Sequence, residues 1–153
     1  MLHGFGANSG FWRPLSQRLR RAGISHATVD LEPVLGSIDD YADLIEAQAT
    51  MLCAATGATQ LVVVGHSMGG LAARAWMRRH GSARVALLVT LGTPHFGSWL
   101  ASYGSGRNAK QMVPPGADPN AWLNRLAASE DAQLRARVIS IRSRHDNIVS
   151  PQD

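Results

Sequence analysis

The hydrophobic positions of this chain change period as it is read from the N-terminus. Across residues 11–22 (FWRPLSQRLRRA), Trp12, Leu15, Leu19 and Ala22 recur at helical spacing, and the pattern stops at Gly23. Pro14 fits only the first turn of such a helix, where its missing N–H would be unpaired anyway. Residues 26–31 (HATVDL) predict a short strand. Ser37 predicts the cap of a second helix, with Asp40 three residues on in a capping-box-like position. That helix carries Tyr41, Leu44, Ile45, Met51 and Leu52 on one side and ends near Gly57. Residues 60–64 (QLVVV) are a continuous apolar, β-branched run, the pattern of a strand buried on both faces. A third helix follows Ser67 and runs to about His80, with Gly81 as its stop. Residues 84–91 (RVALLVTL) and 137–142 (RVISIR) predict two further strands.

Buried strands alternating with amphipathic helices predict the α/β class, a mostly parallel sheet covered by helices on both faces. The expected strand order runs 26–31, then Met1–Leu2, then 60–64, 84–91 and 137–142. The interval 97–136 breaks the alternation. It holds Gly104, Gly106, Pro114, Pro115 and Gly116, then a helix starting near Asp118 with Pro119 at its first position and Trp122, Leu123 and Leu126 on its face. An insertion of this length in a compact domain is functional or mobile in most cases.

Composition narrows the class. With 153 residues, 45% apolar and 17% charged, the chain can bury one core and is not a disordered segment. The run Val85–Leu91 is far shorter than the roughly 18 apolar residues of a helical membrane span. Cys53 is alone, which excludes an internal disulfide and any thiolate-rich zinc site. The net charge of +4 comes from arginines spread along the chain, with no basic run beyond a pair and few aromatics. A solvated helix surface accounts for them better than a nucleic-acid footprint. No cofactor or metal is called for.

The chemistry sits at Gly65-His66-Ser67-Met68-Gly69, directly after the buried strand and directly before a helix, the context a nucleophile elbow requires. The turn there is so sharp that side chains two residues before and two after Ser67 would collide, hence glycine at both. It lifts the serine hydroxyl over the N-terminus of the next helix, which favours negative charge. A serine also needs a base, an orienting acid and an oxyanion hole. The Gly-rich segment His3-Gly4-Phe5-Gly6-Ala7-Asn8 can aim the Phe5 N–H into the site, and the second donor is the Met68 N–H. Asp146, in SRHDNIVSP just past the last strand, falls where catalytic groups of open α/β sheets collect.

With these segments the sequence resembles the α/β-hydrolase superfamily, and within it bacterial triacylglycerol lipases and related carboxylesterases. The matching stretches are HGFGANSGFW, VVVGHSMGGLAAR, VTLGTPHFGS and SRHDNIVSPQD. The resemblance implies Ser67 as nucleophile, Asp146 as triad acid, and Phe5 and Met68 as oxyanion donors. It makes Thr93-Pro94-His95-Phe96-Gly97 the loop bordering the acyl pocket, residues 98–136 a lid or cap, and the substrate a lipid or other carboxylic ester. An acyltransferase or thioesterase would use the same machinery, and a non-catalytic binding protein could share the fold.

One part of the pattern departs. In this superfamily the triad order is Ser, acid, His, and all six histidines precede Asp146. His145 adjoins the acid and projects to the opposite side of an extended segment. His95 has better access, although a structural role in its loop is the preferred reading. The expectation is therefore a single partial hydrolase domain over 1–153, with an insertion at about 97–136, its N- and C-terminal strands and catalytic His lying outside the chain. The 153-residue chain alone is accordingly expected to show little hydrolysis of a short-chain aryl ester; robust turnover abolished by Ser67→Ala would contradict this and point to His95 as the base.

Overall fold

A computed structural model describes residues 1–130 and 132–143. A 3-10 turn at Ser9–Trp12 leads into α1 (Arg13–Arg21), followed by α2 (Tyr41–Thr56), β1 (Leu61–His66), α3 (Met68–His80) and β2 (Val85–Leu91). After a second 3-10 turn at Trp99–Tyr103 come α4 (Arg107–Gln111), α5 (Trp122–Ala128), α6 (Ala132–Arg135) and β3 (Val138–Ile141). The strands form one parallel sheet in the order β1-β2-β3, with Gly65 opposite Thr90 and Leu91 opposite Ile141. Leu2 bridges both Gly65 and Val29 in parallel, so the order expected from the sequence is recovered across the described residues.

Three expected element boundaries need correction. The segment 26–31 pairs only at Val29, because its one partner is the Met1–Leu2 stretch and the next groups are used elsewhere. The Asp30 carboxylate accepts from the Ser9 N–H at 2.6 Å, and the Leu31 N–H goes to the His3 ring at 3.0 Å. Ser37 does not cap α2. Its hydroxyl accepts from the Asp39 N–H at 3.3 Å within a preceding turn, and the helix begins at Tyr41. Asp118 likewise closes its own turn, its carboxylate accepting from the Asn120 N–H at 2.8 Å, so α5 starts at Trp122.

The core lies between α2, α3 and the sheet, with Tyr41, Leu71, Trp76, Met77, Val85 and Leu88 fully buried. Helix α3 is buried from Met68 to Met77. Its small residues Gly69, Gly70, Ala72, Ala73 and Ala75 let its backbone lie close to the strands. Strand β1 is not buried on both faces as its sequence suggests, since Val63 is 7% exposed but Val62 is 62% exposed. Val62 and Val64 line an apolar groove of about 500 Å³, bordered by Leu15 and Leu19 of α1 and Ile45 and Leu52 of α2.

The 97–136 insertion is fastened to the start of α2. Asn108 is wholly buried; its amide donates to the Val34 carbonyl at 2.7 Å and the Tyr41 hydroxyl at 3.1 Å, and its oxygen accepts from the Ala109 N–H. Gln111 accepts from the Ile38 N–H at 2.8 Å. The Asp39 carboxylate takes donors from three helices: Gln111 of α4 at 3.3 Å, Trp122 of α5 at 2.9 Å and Arg78 of α3 at 2.5 Å. Leu123 and Leu126 complete the dock in the core. Asn108→Ala removes the amide donor to the Val34 carbonyl and to the Tyr41 hydroxyl, which keeps only its bonds to the Pro33 carbonyl at 2.8 Å and, weakly, to the Val34 carbonyl at 3.4 Å, and is expected to cost about 1–2 kcal/mol in a urea titration. Limited proteolysis should accelerate within 97–136 at the same time.

Candidate active site

Strand β1 ends at His66 and α3 begins at Met68, so one residue makes the whole turn. Ser67 takes φ 51° and ψ −123°, and among the described residues it is the only non-glycine with positive φ. A side chain there costs of order 1–3 kcal/mol and persists only if the surroundings over-determine it. The Ser67 N–H donates to the Leu91 carbonyl at 2.9 Å, tying the turn to the end of β2. The Ser67 carbonyl accepts from the Gly70 N–H at 3.1 Å and the Thr93 hydroxyl at 2.9 Å.

Both flanking glycines are required by contact. A Cβ on Gly65 would sit 2.6 Å from the Gly70 backbone, and one on Gly69 would sit 2.4 Å from the Leu2 carbonyl oxygen. The clash at Gly69 is therefore with the neighbouring Met1–Leu2 stretch and not with residue 65. The loop after that stretch closes over the serine: a Cβ on Gly4 would lie 3.0 Å from the Ser67 Cβ. His3 shapes this loop. Its Nε2 accepts the Leu31 N–H at 3.0 Å, so Nδ1 carries the hydrogen and donates to the Gly4 carbonyl at 2.9 Å. Phe5 follows Gly4 directly. The Met68 N–H is the first of α3 and has no intrahelical acceptor by construction. His66 stacks on Phe11 with ring centroids 4.5 Å apart.

A buried charged cluster lies behind the turn. Arg74 of α3 makes a two-pronged pair with Glu130, at 2.5 and 2.9 Å, and both side chains are 7% exposed. A third Arg74 nitrogen donates to His95 Nδ1 at 3.1 Å, leaving Nε2 to donate to the Thr90 hydroxyl at 3.0 Å. Burial, reinforced by the Arg74 charge, lowers the His95 pKa to about 4. With both nitrogens engaged, His95 fits the structural role preferred for it on sequence. The sequence placed Thr93 and His95 in a pocket-bordering loop but gave no individual role to Thr93, Arg74 or Glu130. Arg74 did carry a signal, as the one charge in the apolar stretch Leu71–Met77. Glu130 carried none.

Asp146 and His145 lie outside the described residues. Strand β3 ends at Ile141 beside Gly92, whose N–H donates to the Ile141 carbonyl at 2.9 Å, on the same edge of the sheet as Ser67. Among the described residues there is no group of three or more metal-ligating side chains, and no helix long and apolar enough to cross a membrane.

A parallel sheet whose strand passes through a left-handed serine turn into a buried helix is the frame of an α/β hydrolase. The chain belongs to the alpha/beta hydrolase family, whose sequence profile matches residues 1–151. A triacylglycerol lipase of Pseudarthrobacter phenanthrenivorans is 42% identical over 57 residues, a stretch making up 37% of this chain and only 18% of that lipase. Among solved structures, lipase B of Aspergillus fumigatus superposes with a TM-score of 0.78 at 15% identity, over 99% of this chain and 38% of that one. The mature lipase BlEst2 of Bacillus licheniformis gives 0.73 at 19% identity, over 92% and 62%. At these identities the structural likeness is one of fold.

The lowered His95 pKa makes a signed prediction. Between about pH 6.5 and pH 4 the unfolded chain binds a proton at this ring and the folded chain does not, so stability falls as pH drops through that window. The loss attributable to His95 amounts to about 3 kcal/mol. His95→Asn, less stable at neutral pH, should show a correspondingly flatter dependence in urea titrations at pH 7, 5.5 and 4.

Proposed function

We propose that this chain carries the nucleophile and oxyanion hole of a serine hydrolase that cleaves lipid or other carboxylic esters through an acyl-enzyme. The left-handed conformation of Ser67 at the junction of β1 and α3 carries this reading. Binding alone has no use for a strained serine, whereas nucleophilic attack needs the hydroxyl lifted clear of the sheet. In the proposed reaction Ser67 Oγ attacks the ester carbonyl carbon and its proton passes to a histidine oriented by Asp146. The Phe5 and Met68 N–H groups hold the oxyanion. The alcohol leaves with that proton, and water, deprotonated by the same base, releases the acid. None of the described histidines is assigned as the base, and His3 and His95 have both ring nitrogens engaged.

The apolar character of the substrate is supported by exposed aromatics after β2. Phe96, Trp99 and Tyr103 are 67%, 54% and 82% exposed, and the last two pack edge to face at 6.1 Å. In this reading the 97–136 insertion is the lid or cap, held at α4 and α5 and presenting its 3-10 turn at Trp99–Tyr103 toward solvent. The lipase names of the relatives favour ester cleavage over acyl transfer or thioester cleavage.

In the active form of the protein, Ser67→Ala should lower ester hydrolysis on the order of 10⁶-fold and abolish fluorophosphonate labelling, with the thermal midpoint unchanged. Asp146→Asn should cost on the order of 10⁴-fold. Labelling that persists in Ser67→Ala would remove the basis of this reading. Product analysis with added alcohol or thiol acceptors separates hydrolysis from acyl transfer.

A further inference from the structure

The Ser67 carbonyl and the Met68 N–H belong to one peptide unit, and that unit is planar and trans, so the two bonds point in opposite directions. Whatever fixes the carbonyl therefore fixes the aim of the N–H. The carbonyl has two donors, the Gly70 N–H at 3.1 Å within α3 and the Thr93 hydroxyl at 2.9 Å from outside it. Thr93 is 5% exposed, and its hydroxyl hydrogen is directed at this carbonyl. We propose that Thr93 is a positioning residue that aims the Met68 N–H, through the shared peptide plane, at the oxyanion of the transition state.

Three observations support this. Gly70 has no need of left-handed backbone, since it sits inside α3, yet a Cβ there would lie 2.1 Å from Thr93 Oγ1 and 2.8 Å from its Cγ2. The glycine thus makes room for this hydroxyl. Thr93 is β-branched and stiff about χ1, so it cannot easily swing aside. Its backbone is also held: the Thr93 carbonyl accepts the His95 N–H at 2.9 Å, and the His95 ring is clamped between Arg74 and Thr90. The hydroxyl also polarises the peptide, since a carbonyl that accepts a hydrogen bond makes the N–H of the same unit a stronger donor. The effect should be smaller than the 10²–10³-fold loss from removing an oxyanion donor outright, because the Met68 N–H remains.

This inference rests on the proposed serine mechanism, and the test separates the two. Ester kinetics, binding of an arylboronic acid that mimics the tetrahedral adduct, and thermal midpoints are measured for wild type, Thr93→Val, Thr93→Ser and Gly70→Ala. Thr93→Val keeps the shape and loses the hydroxyl. It should lower kcat about tenfold with KM little changed, and weaken boronate binding by a similar factor. Thr93→Ser restores the hydroxyl and should stay within about twofold of wild type. Gly70→Ala, a change that favours helix, should reproduce the kcat and boronate losses by displacing Thr93; it carries the test if Thr93→Val does not fold. Thr93→Val with wild-type kcat and boronate affinity, or Thr93→Ser as impaired as Thr93→Val, overturns the inference while leaving the mechanism standing. These kinetics are measured on protein that carries the catalytic histidine; absence there of any Ser67-dependent turnover in wild type overturns the mechanism, and the inference falls with it.

Discussion

The left-handed backbone at Ser67 is the constraint around which the described structure is arranged. A residue with a side chain holds φ near 51° only when its neighbours leave no relaxed alternative. Here the N–H is bound by the end of β2, the carbonyl by Gly70 and Thr93, and the flanks are closed by Gly4, Gly65 and Gly69. Each of those contacts in turn dictates packing. Gly65 lets the start of α3 lie against β1, Gly69 lets the Met1–Leu2 stretch pass over the helix, and Gly4 brings the next loop onto the serine. Glycine at these positions reflects approach distances of 2.4–3.0 Å for a missing Cβ more than backbone freedom.

Much of this was legible in the sequence because its cause is local. A β-branched run, then Gly-x-Ser-x-Gly, then an amphipathic helix specifies strand, turn and helix from neighbouring residues alone. The sheet order followed as well, since parallel strands joined by helices leave few arrangements. What the sequence concealed depends on partners distant along the chain. Whether 26–31 forms a ladder is decided by the short stretch it pairs with, and whether Ser37 caps a helix is decided by Gln111, far along the chain. The two-sided burial expected of β1 failed at Val62 for the same kind of reason: burial belongs to what lies opposite, and an open groove lies there.

The candidate site divides along the same line. Ser67, and the Phe5 and Met68 N–H groups proposed as oxyanion donors, are named from motif and placement. The contacts of Thr93, Arg74 and Glu130 cannot be read there, because they exist only once α3, the loop after β2 and the end of the insertion are brought together. Arg74 is the centre of that meeting. Its guanidinium has a fixed planar fork, which suits it to hold a carboxylate on one side and an imidazole on the other. Burying such a pair brings little net stability, and its value here is geometric: it fixes the loop that carries Thr93.

The Asp39 carboxylate, which gathers donors from α3, α4 and α5, has a consequence for how this part of the sequence can vary. Three attachments that share one acceptor are not independent. Loss of Trp122 or Gln111 alone leaves the others to hold the joint, whereas a change at Asp39 removes three bonds at once and leaves Gln111 only its bonds to Ile38 and Ser37. Substitutions on the insertion side should therefore be individually tolerated and jointly severe. Drift in the exposed parts of the insertion is free to proceed so long as Asp39 and the buried Asn108 dock stay in place. A surface that can diversify around a fixed anchor can change its shape and chemistry without rebuilding the serine turn.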